Sequence, residues 1–288
     1  MNSKYPIYIV SKGRWETRFT SKALDSMNQP YYMVIEPEEY EEYAKVINPE
    51  QILLLPQKYH DEYDPCTEEE WKSNGPGAAR NFAWEHSIEN GFARHWVMDD
   101  NIRSFKRLNG NRALDCHTGA IFRMAEDFVD RYTNVALAGP QYDMFVIFKD
   151  DNPAFILNTR IYSCLLINNE LPYRWRGRYN EDTDISLRAL KDGWCTVEFY
   201  IFMQQKIVTQ GLKGGNTDAF YADEGTMNKS RMIQKMHPDV SRVVWKFHRW
   251  HHEVNYQSFK KNRLILRDDI EIPDGVNNYG MTIKEKIT

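Results

Sequence analysis

The chain has 288 residues, 42% of them hydrophobic and 27% charged, with a formal net charge of −4. This describes an ordinary globular chain long enough for a sizeable core, and it excludes a polycation that coats nucleic acid indiscriminately. No apolar run approaches the ~20 residues of a membrane span, the start "MNSKYPIYIV" lacks signal-peptide features, and the four scattered cysteines form no C-x-x-C pair, so a cytoplasmic protein without membrane contact is expected.

In chain order, "YPIYIV" is a short apolar run rich in β-branched residues, followed by the polar turn "SKGR". Two similar runs, "YYMVIE" and "QILLLP", flank the acidic helical stretch "PEEYEEYAKV". "GPGAARNFAWEHSIENG" has apolar residues at helical spacing, is closed by Gly91, and precedes the strand "HWVM". Strands alternating with helices in this way predict βα units on a mainly parallel sheet. Next, "FVIFKDDNPAFIL" predicts a hairpin around an Asn-Pro turn. "IYSCLLIN" predicts a strand, "NEDTDISLRALKDGW" a helix stopped at Gly193, and "CTVEFYIFM" another strand. The tail holds a glycine-rich loop, "GLKGGNTDAF", and two expected helices, "EGTMNKSRMIQKM" and "VSRVVWKFHRWHHEV". One α/β domain over 1–288 is expected, with a nucleotide-binding half to about residue 110 and an acceptor-binding half from about 111 with a helical C-terminal region.

Asp-Asp-Asn occurs twice, at 99–101 and at 150–152. The first follows a strand of the parallel half, where ligands gather at carboxyl ends. Adjacent carboxylates repel, and a hard divalent ion, Mg²⁺ or Mn²⁺, would compensate Asp99 and Asp100. Asp150 and Asp151 sit in a turn-rich stretch beside Lys149 and Pro153, where side chains bond their own backbone and need no ligand. "NEDTDISLRAL" places Glu181, Asp182 and Asp184 in the first turn of a helix. An acidic helix start is ordinary, favourable by ~0.3–1 kcal/mol, but it also suits a carboxylate acting as general base. "SNGPGAARNFAW" opens a helix whose free amides, with Arg80, suit an anion such as a diphosphate. A plain Gly-Pro turn would leave the same trace. In "YRWRGRYN", an extended backbone would put Arg174, Arg176 and Arg178 on one face for phosphates, with Trp175 free to stack on a base. A solvated basic strand edge is the bland alternative.

In order and spacing, "IYIVSKGR", "GPGAARNFAW", "WVMDDNI" and "YNEDTDISLR" resemble the TET-associated glycosyltransferases of bacteriophages, over about residues 5 to 216. The resemblance implies the glycosyltransferase A (GT-A) fold, a Rossmann-like nucleotide-binding mixed sheet flanked by helices. It implies transfer of a sugar from a nucleotide sugar, a UDP-sugar, to the hydroxymethyl group of 5-hydroxymethylcytosine in phage DNA, hence a setting in the host bacterial cytoplasm. Asp100 is then expected on the metal, Asp99 near the donor ribose, and Asp182 as the base of an inverting reaction. Asn101 departs from the commoner third acid and leaves the number of protein ligands open. Ser11 and Arg14 of "SKGR" become candidates for holding the donor's base and ribose, with Arg80 on the diphosphate. "WKFHRWHH" is a second candidate DNA surface, and His248, His251 or His252 a candidate late metal ligand. Two other classes compete: a nucleotidyltransferase, which also uses paired carboxylates, and a non-catalytic DNA-binding module.

Overall fold

The computed structural model describes residues 1–67, 75–149, 151–207 and 227–271. The chain begins with β1 (Ile7–Val10), α1 (Phe19–Ser26), β2 (Tyr32–Ile35), α2 (Tyr40–Ala44), β3 (Ile52–Leu54), α3 (Gln57–Asp61), α4 (Gly77–Glu89) and β4 (Arg94–Asp99). β1 pairs in parallel with β2 and with β4, and β2 in parallel with β3. This is the arrangement expected of the first half. Alternate residues of β1 face opposite cores. Ile7 and Ile9 pack with Leu24 of α1, while Tyr8 and Val10 pack with Trp84 of α4. A strand apolar on both faces needs helices on both sides, and α1 and α4 supply them. Each fully buried side chain of this size stabilises the fold by ~1.5–3 kcal/mol.

The second half adds β5 (Ile102–Asn109), β6 (Arg112–Asp115), α5 (Ala120–Val129), β7 (Val135–Tyr142), β8 (Phe155–Leu157), β9 (Cys164–Asn168), α6 (Glu181–Lys191) and β10 (Cys195–Lys206). These complete one 10-stranded mixed sheet in the order β3-β2-β1-β4-β9-β7-β10-β5-β6, with β8 paired to β10. β9 runs antiparallel to both β4 and β7. It thereby joins the two halves into a single sheet. The last described elements are α7 (Met227–Met236), β11 (Ser241–Lys246) and β12 (Arg249–Val254). Among the described residues no helix is long and apolar enough to cross a membrane.

Two expectations are corrected. "FVIFKDDNPAFIL" is not a two-stranded hairpin: residues 146–149 form no strand, and β8 pairs instead with Val197–Phe199 of β10. A distant partner outcompeted the local one. The second expected C-terminal helix is a β-hairpin, β11 paired antiparallel with β12. Its Val243, Val244, Trp245, Phe247 and Trp250 match helical spacing, but β-branched and aromatic residues favour a pleated surface. The turn was hidden because Phe247 and His248, rather than Asn or Gly, adopt left-handed backbone angles, with φ of 52° and 58°. Such a conformation costs non-glycine residues ~1–2 kcal/mol each. The glycine-rich loop at 211–220 lies outside the described residues.

Gly139 marks where β7 and the chain entering β9 approach most closely. A Cβ there would lie 2.2 Å from the backbone oxygen of Cys164 and 2.5 Å from Ile161 Cγ2. Gly139→Ala should therefore destabilise the protein by ~1–3 kcal/mol, the usual cost of overpacking, visible as a lower urea midpoint. An unchanged midpoint would mean that the two strands part there at no cost.

Candidate active site

Asp99 ends β4, and Asp100 and Asn101 begin the turn into β5. One oxygen of Asp99 accepts from Arg80 Nη2 at 2.7 Å and the other from Lys206 Nζ at 2.6 Å. Asp100 accepts from Arg14 Nη1 at 2.5 Å and from Ser11 Oγ at 2.7 Å. Four segments converge here: the loop after β1, the first turn of α4, the end of β4 and the end of β10. Arg80 is 2% exposed. Its Nη1 lies 3.3 Å from Glu181 Oε1, and its guanidinium stacks 4.7 Å from the Trp175 ring centroid. The loop before α4 is shaped for this contact. Gly75 has φ of +87°, and a Cβ there would stand 2.8 Å from the Arg178 carbonyl oxygen.

The carboxylates are unequally compensated. Burial raises the pKa of Asp99, but Lys206 and Arg80 outweigh it and hold the group well below the ordinary range. At Asp100 burial wins, and the pKa is raised despite Arg14 and Ser11. Burial also lifts Glu181 to about 7 and raises Asp182, with Arg80 opposing both shifts. Asp182 also feels Asp99, Lys229 and Lys206, so it belongs to the same electrostatic cluster. Among the described residues four acids face Arg14, Arg80 and Lys206, with Lys229 within electrostatic reach of Asp182.

The incompletely compensated Asp100 suits a hard dication. Asp100 offers oxygen donors whose second lone pairs remain for a metal, and Mg²⁺ typically takes one or two carboxylates and completes its shell with substrate phosphate and water. Among the described residues no group of three or more His, Cys, Asp or Glu side chains converges on one point. Asp100 could hold a metal here together with phosphate oxygens of a donor. His248, His251 and His252 all lie on the β11–β12 hairpin and join no such group.

The structure also relocates several expected residues. Ser11 and Arg14 grip Asp100, so they shape the carboxylate that was expected to bind metal. The "YRWRGRYN" segment is not a strand, and its arginines do not form an open row. Arg174 pairs with Glu85 at 2.5 Å, Arg176 makes two 3.1 Å contacts to buried Asp184, and Arg178 is buried against Tyr179. Trp175 is 2% exposed beneath Arg80, so its face is not available to a base. The physical reason is charge: Glu85 on α4 and Asp184 on α6 pair with Arg174 and Arg176, whose side chains stay partly exposed. Asp184, expected as one of the acidic first-turn residues, is fully buried and also accepts from His237 at 2.8 Å. Asp151 lies in an exposed turn 3.2 Å from Lys149. Asp150 lies outside the described residues.

A profile of the family described as TET-Associated Glycosyltransferase matches residues 5–215, which include every segment that meets at Asp99 and Asp100. The chain belongs to this family. It is therefore a glycosyltransferase, and the mixed sheet flanked by helices is a glycosyltransferase-type α/β fold. A search of curated proteins returns no match. The family match ends before α7, so the helix and the β11–β12 hairpin lie beyond it.

Sequence reasoning missed Lys206 and Ser163, whose Oγ accepts from Lys206 at 2.6 Å. Lys206 is 107 residues from Asp99, and no local pattern announces such a pair. Lys206→Met should destabilise the glycosyltransferase by ~1.5–3 kcal/mol near pH 7.5, because Asp99 loses one of its two charge-assisted hydrogen bonds and keeps only Arg80. The gap should narrow as pH falls. In the variant Asp99 then takes up a proton, and in the wild type the benefit of its depressed pKa is lost below the unfolded value near 3.8. Urea melts at several pH values test this; a gap independent of pH would assign Lys206 a packing role alone.

Proposed function

We propose that this glycosyltransferase moves a sugar from a UDP-sugar to the hydroxymethyl oxygen of 5-hydroxymethylcytosine in DNA, with inversion at the anomeric carbon. The observation that carries the reading is the acid pair opening α6. Asp182 has a raised pKa and sits within the field of the Asp99–Arg80–Lys206 cluster. A base is most effective when its pKa lies near the operating pH.

In this reading Asp182 removes the proton of the acceptor hydroxyl as its oxygen attacks the anomeric carbon. The bond from that carbon to the diphosphate oxygen breaks, and the electron pair leaves with UDP. Arg80 and Lys206 are the cations that meet the growing charge. Asp100 would hold Mn²⁺ or Mg²⁺, which adds positive charge at the diphosphate when bound. Ser11 and Arg14 keep the Asp100 carboxylate fixed and ionised. Inversion needs only one base on the acceptor side. A nucleotidyltransferase would have no use for it, and a non-catalytic module would not need the raised pKa.

Mass spectrometry of hydroxymethylated DNA incubated with a panel of nucleotide sugars tests the donor and acceptor together. Asp182→Asn should lower turnover by roughly 10²–10⁴-fold with UDP affinity intact. EDTA should abolish transfer and Mn²⁺ restore it. Turnover unaffected by the Asn substitution would remove Asp182 from the mechanism.

The pH profile gives a separate check. Glu181 titrates at about 7 and shares its environment with Asp182. The pair must shed its last proton for Asp182 to act, so kcat/KM should rise with pH through neutrality and level off above it. Glu181→Gln removes a competing negative charge, so the rising limb should move to lower pH. A limb that stays in place would show that Glu181 and Asp182 do not titrate together.

A further inference from the structure

Residues 227–263 carry nine lysines and arginines against two acids, Asp239 and Glu253, in a chain whose net charge is −4. Eight of the nine basic side chains are exposed and Lys229 is half-buried. The concentration is therefore a surface feature of α7, the β11–β12 hairpin and the turn after it. On the hairpin, Arg242 and Lys246 share Glu253, while Arg249 bonds His251 at 3.1 Å. One carboxylate is thus set against Arg242, Lys246 and Arg249.

The hairpin tip is the second observation. Phe247 is 85% exposed, in a left-handed turn position that a bulky side chain rarely adopts. Trp245, 56% exposed, stands beside it and meets Trp250 edge-on at 5.1 Å. A packed fold has no reason to hold a phenylalanine in strained backbone and then leave it in water. Observed strain of this kind clusters at functional sites.

The third observation is position. Lys229 of α7 lies within electrostatic reach of Asp182 on one side and of His251 and His252 on the other. Asn180, next to the acid pair, donates to the Lys229 backbone oxygen at 2.8 Å. The basic unit therefore borders the base that the mechanism assigns to the acceptor side.

We infer that the β11–β12 hairpin, seated on α7, is the nucleic-acid grip of this enzyme: Lys246 and Arg249 contact phosphates and Phe247 contacts a base. The inference rests on the proposed DNA acceptor and names the surface that receives it. A two-stranded β-ribbon fits the major groove, and the substituent on C5 of cytosine projects into that groove. Cations along the ribbon neutralise the backbone, and an exposed aromatic at its tip stacks on or wedges against a base. The grip lies outside the residues that define the family, and it takes the place of the "YRWRGRYN" segment, whose Trp175 and Arg178 are buried and whose Arg174 and Arg176 are paired with Glu85 and Asp184.

Fluorescence anisotropy with a labelled 20-base-pair duplex bearing one 5-hydroxymethylcytosine tests this across a salt series. Phe247→Ala should weaken binding by roughly 5- to 150-fold, the range for loss of one stacked base. Lys246→Gln with Arg249→Gln should flatten the log–log salt slope by about 1.8, at ~0.9 per lost phosphate contact. UDP affinity, measured by calorimetry, should be unchanged in both variants, which also reports that they are folded. If the wild type binds and glycosylates the duplex but the variants keep its affinity and slope, the grip is elsewhere and the acceptor reading stands. If the wild type neither binds nor modifies any hydroxymethylated DNA, the acceptor reading itself fails and takes the grip with it. If the variants instead lose binding to phosphatidylserine vesicles while DNA binding is untouched, the hairpin serves a membrane surface and the inference is overturned.

Discussion

The buried guanidinium of Arg80 is the contact on which the site depends. It reaches Asp99 at the end of β4, Glu181 at the start of α6 and the ring of Trp175 from a place with almost no solvent. Removing a charge of this kind from water costs several kcal/mol unless its partners are well placed. The partners in turn come from distant parts of the chain. Satisfying one arginine thus fixes α4, the β4 terminus and the α6 terminus relative to one another. In the proposed mechanism the same side chain holds the donor side and the acceptor side in register.

Around that anchor the charges are deliberately unequal. Asp99 is fully neutralised by Arg80 and Lys206, whereas Asp100, Glu181 and Asp182 remain harder to ionise than free carboxylic acids. An ionised group without full compensation is the one that gains most from a further cation or from a proton. This divides the labour within the cluster. Asp99 organises, Asp100 is suited to a cation, and the pair on α6 is suited to proton transfer. The arginines after β9 belong to the same economy of charge, because Asp184 and Glu85 pair with Arg176 and Arg174 at the surface.

With those arginines paired to acids, the nine basic residues against two acids in 227–263 form the surface best suited to a polyanion. A net acidic protein that acts on DNA needs such local concentration, since its overall field repels phosphate. The hairpin also supplies what a helix in its place would not, a narrow ribbon with an aromatic at its tip. Its position beside Lys229 and Asp182 relates the basic surface to the chemistry.

Much of this was legible in the residues. Short β-branched runs separated by helical stretches determined the parallel sheet of β1 to β4, because hydrophobic period and turn chemistry are local properties. The same locality placed Asp99 and Asp100 at a strand end, and Glu181 and Asp182 in the first turn of a helix. What depended on partners far along the chain was not legible. β8 abandoned its neighbour for β10, and the tertiary fold brought Lys206 to Asp99 and Arg174 to Glu85. The C-terminal hairpin was misread for a related reason. Its apolar residues satisfy helical spacing by coincidence, its turn uses Phe247 and His248 where a hairpin ordinarily shows Asn or Gly, and only packing against α7 decides in favour of strands. The sequence alone determined which residues have the chemistry for a site, since composition and local backbone suffice for that. The tertiary structure decided which of them are spent on one another and which remain for a ligand, since a charge is compensated by whatever lies nearest in space.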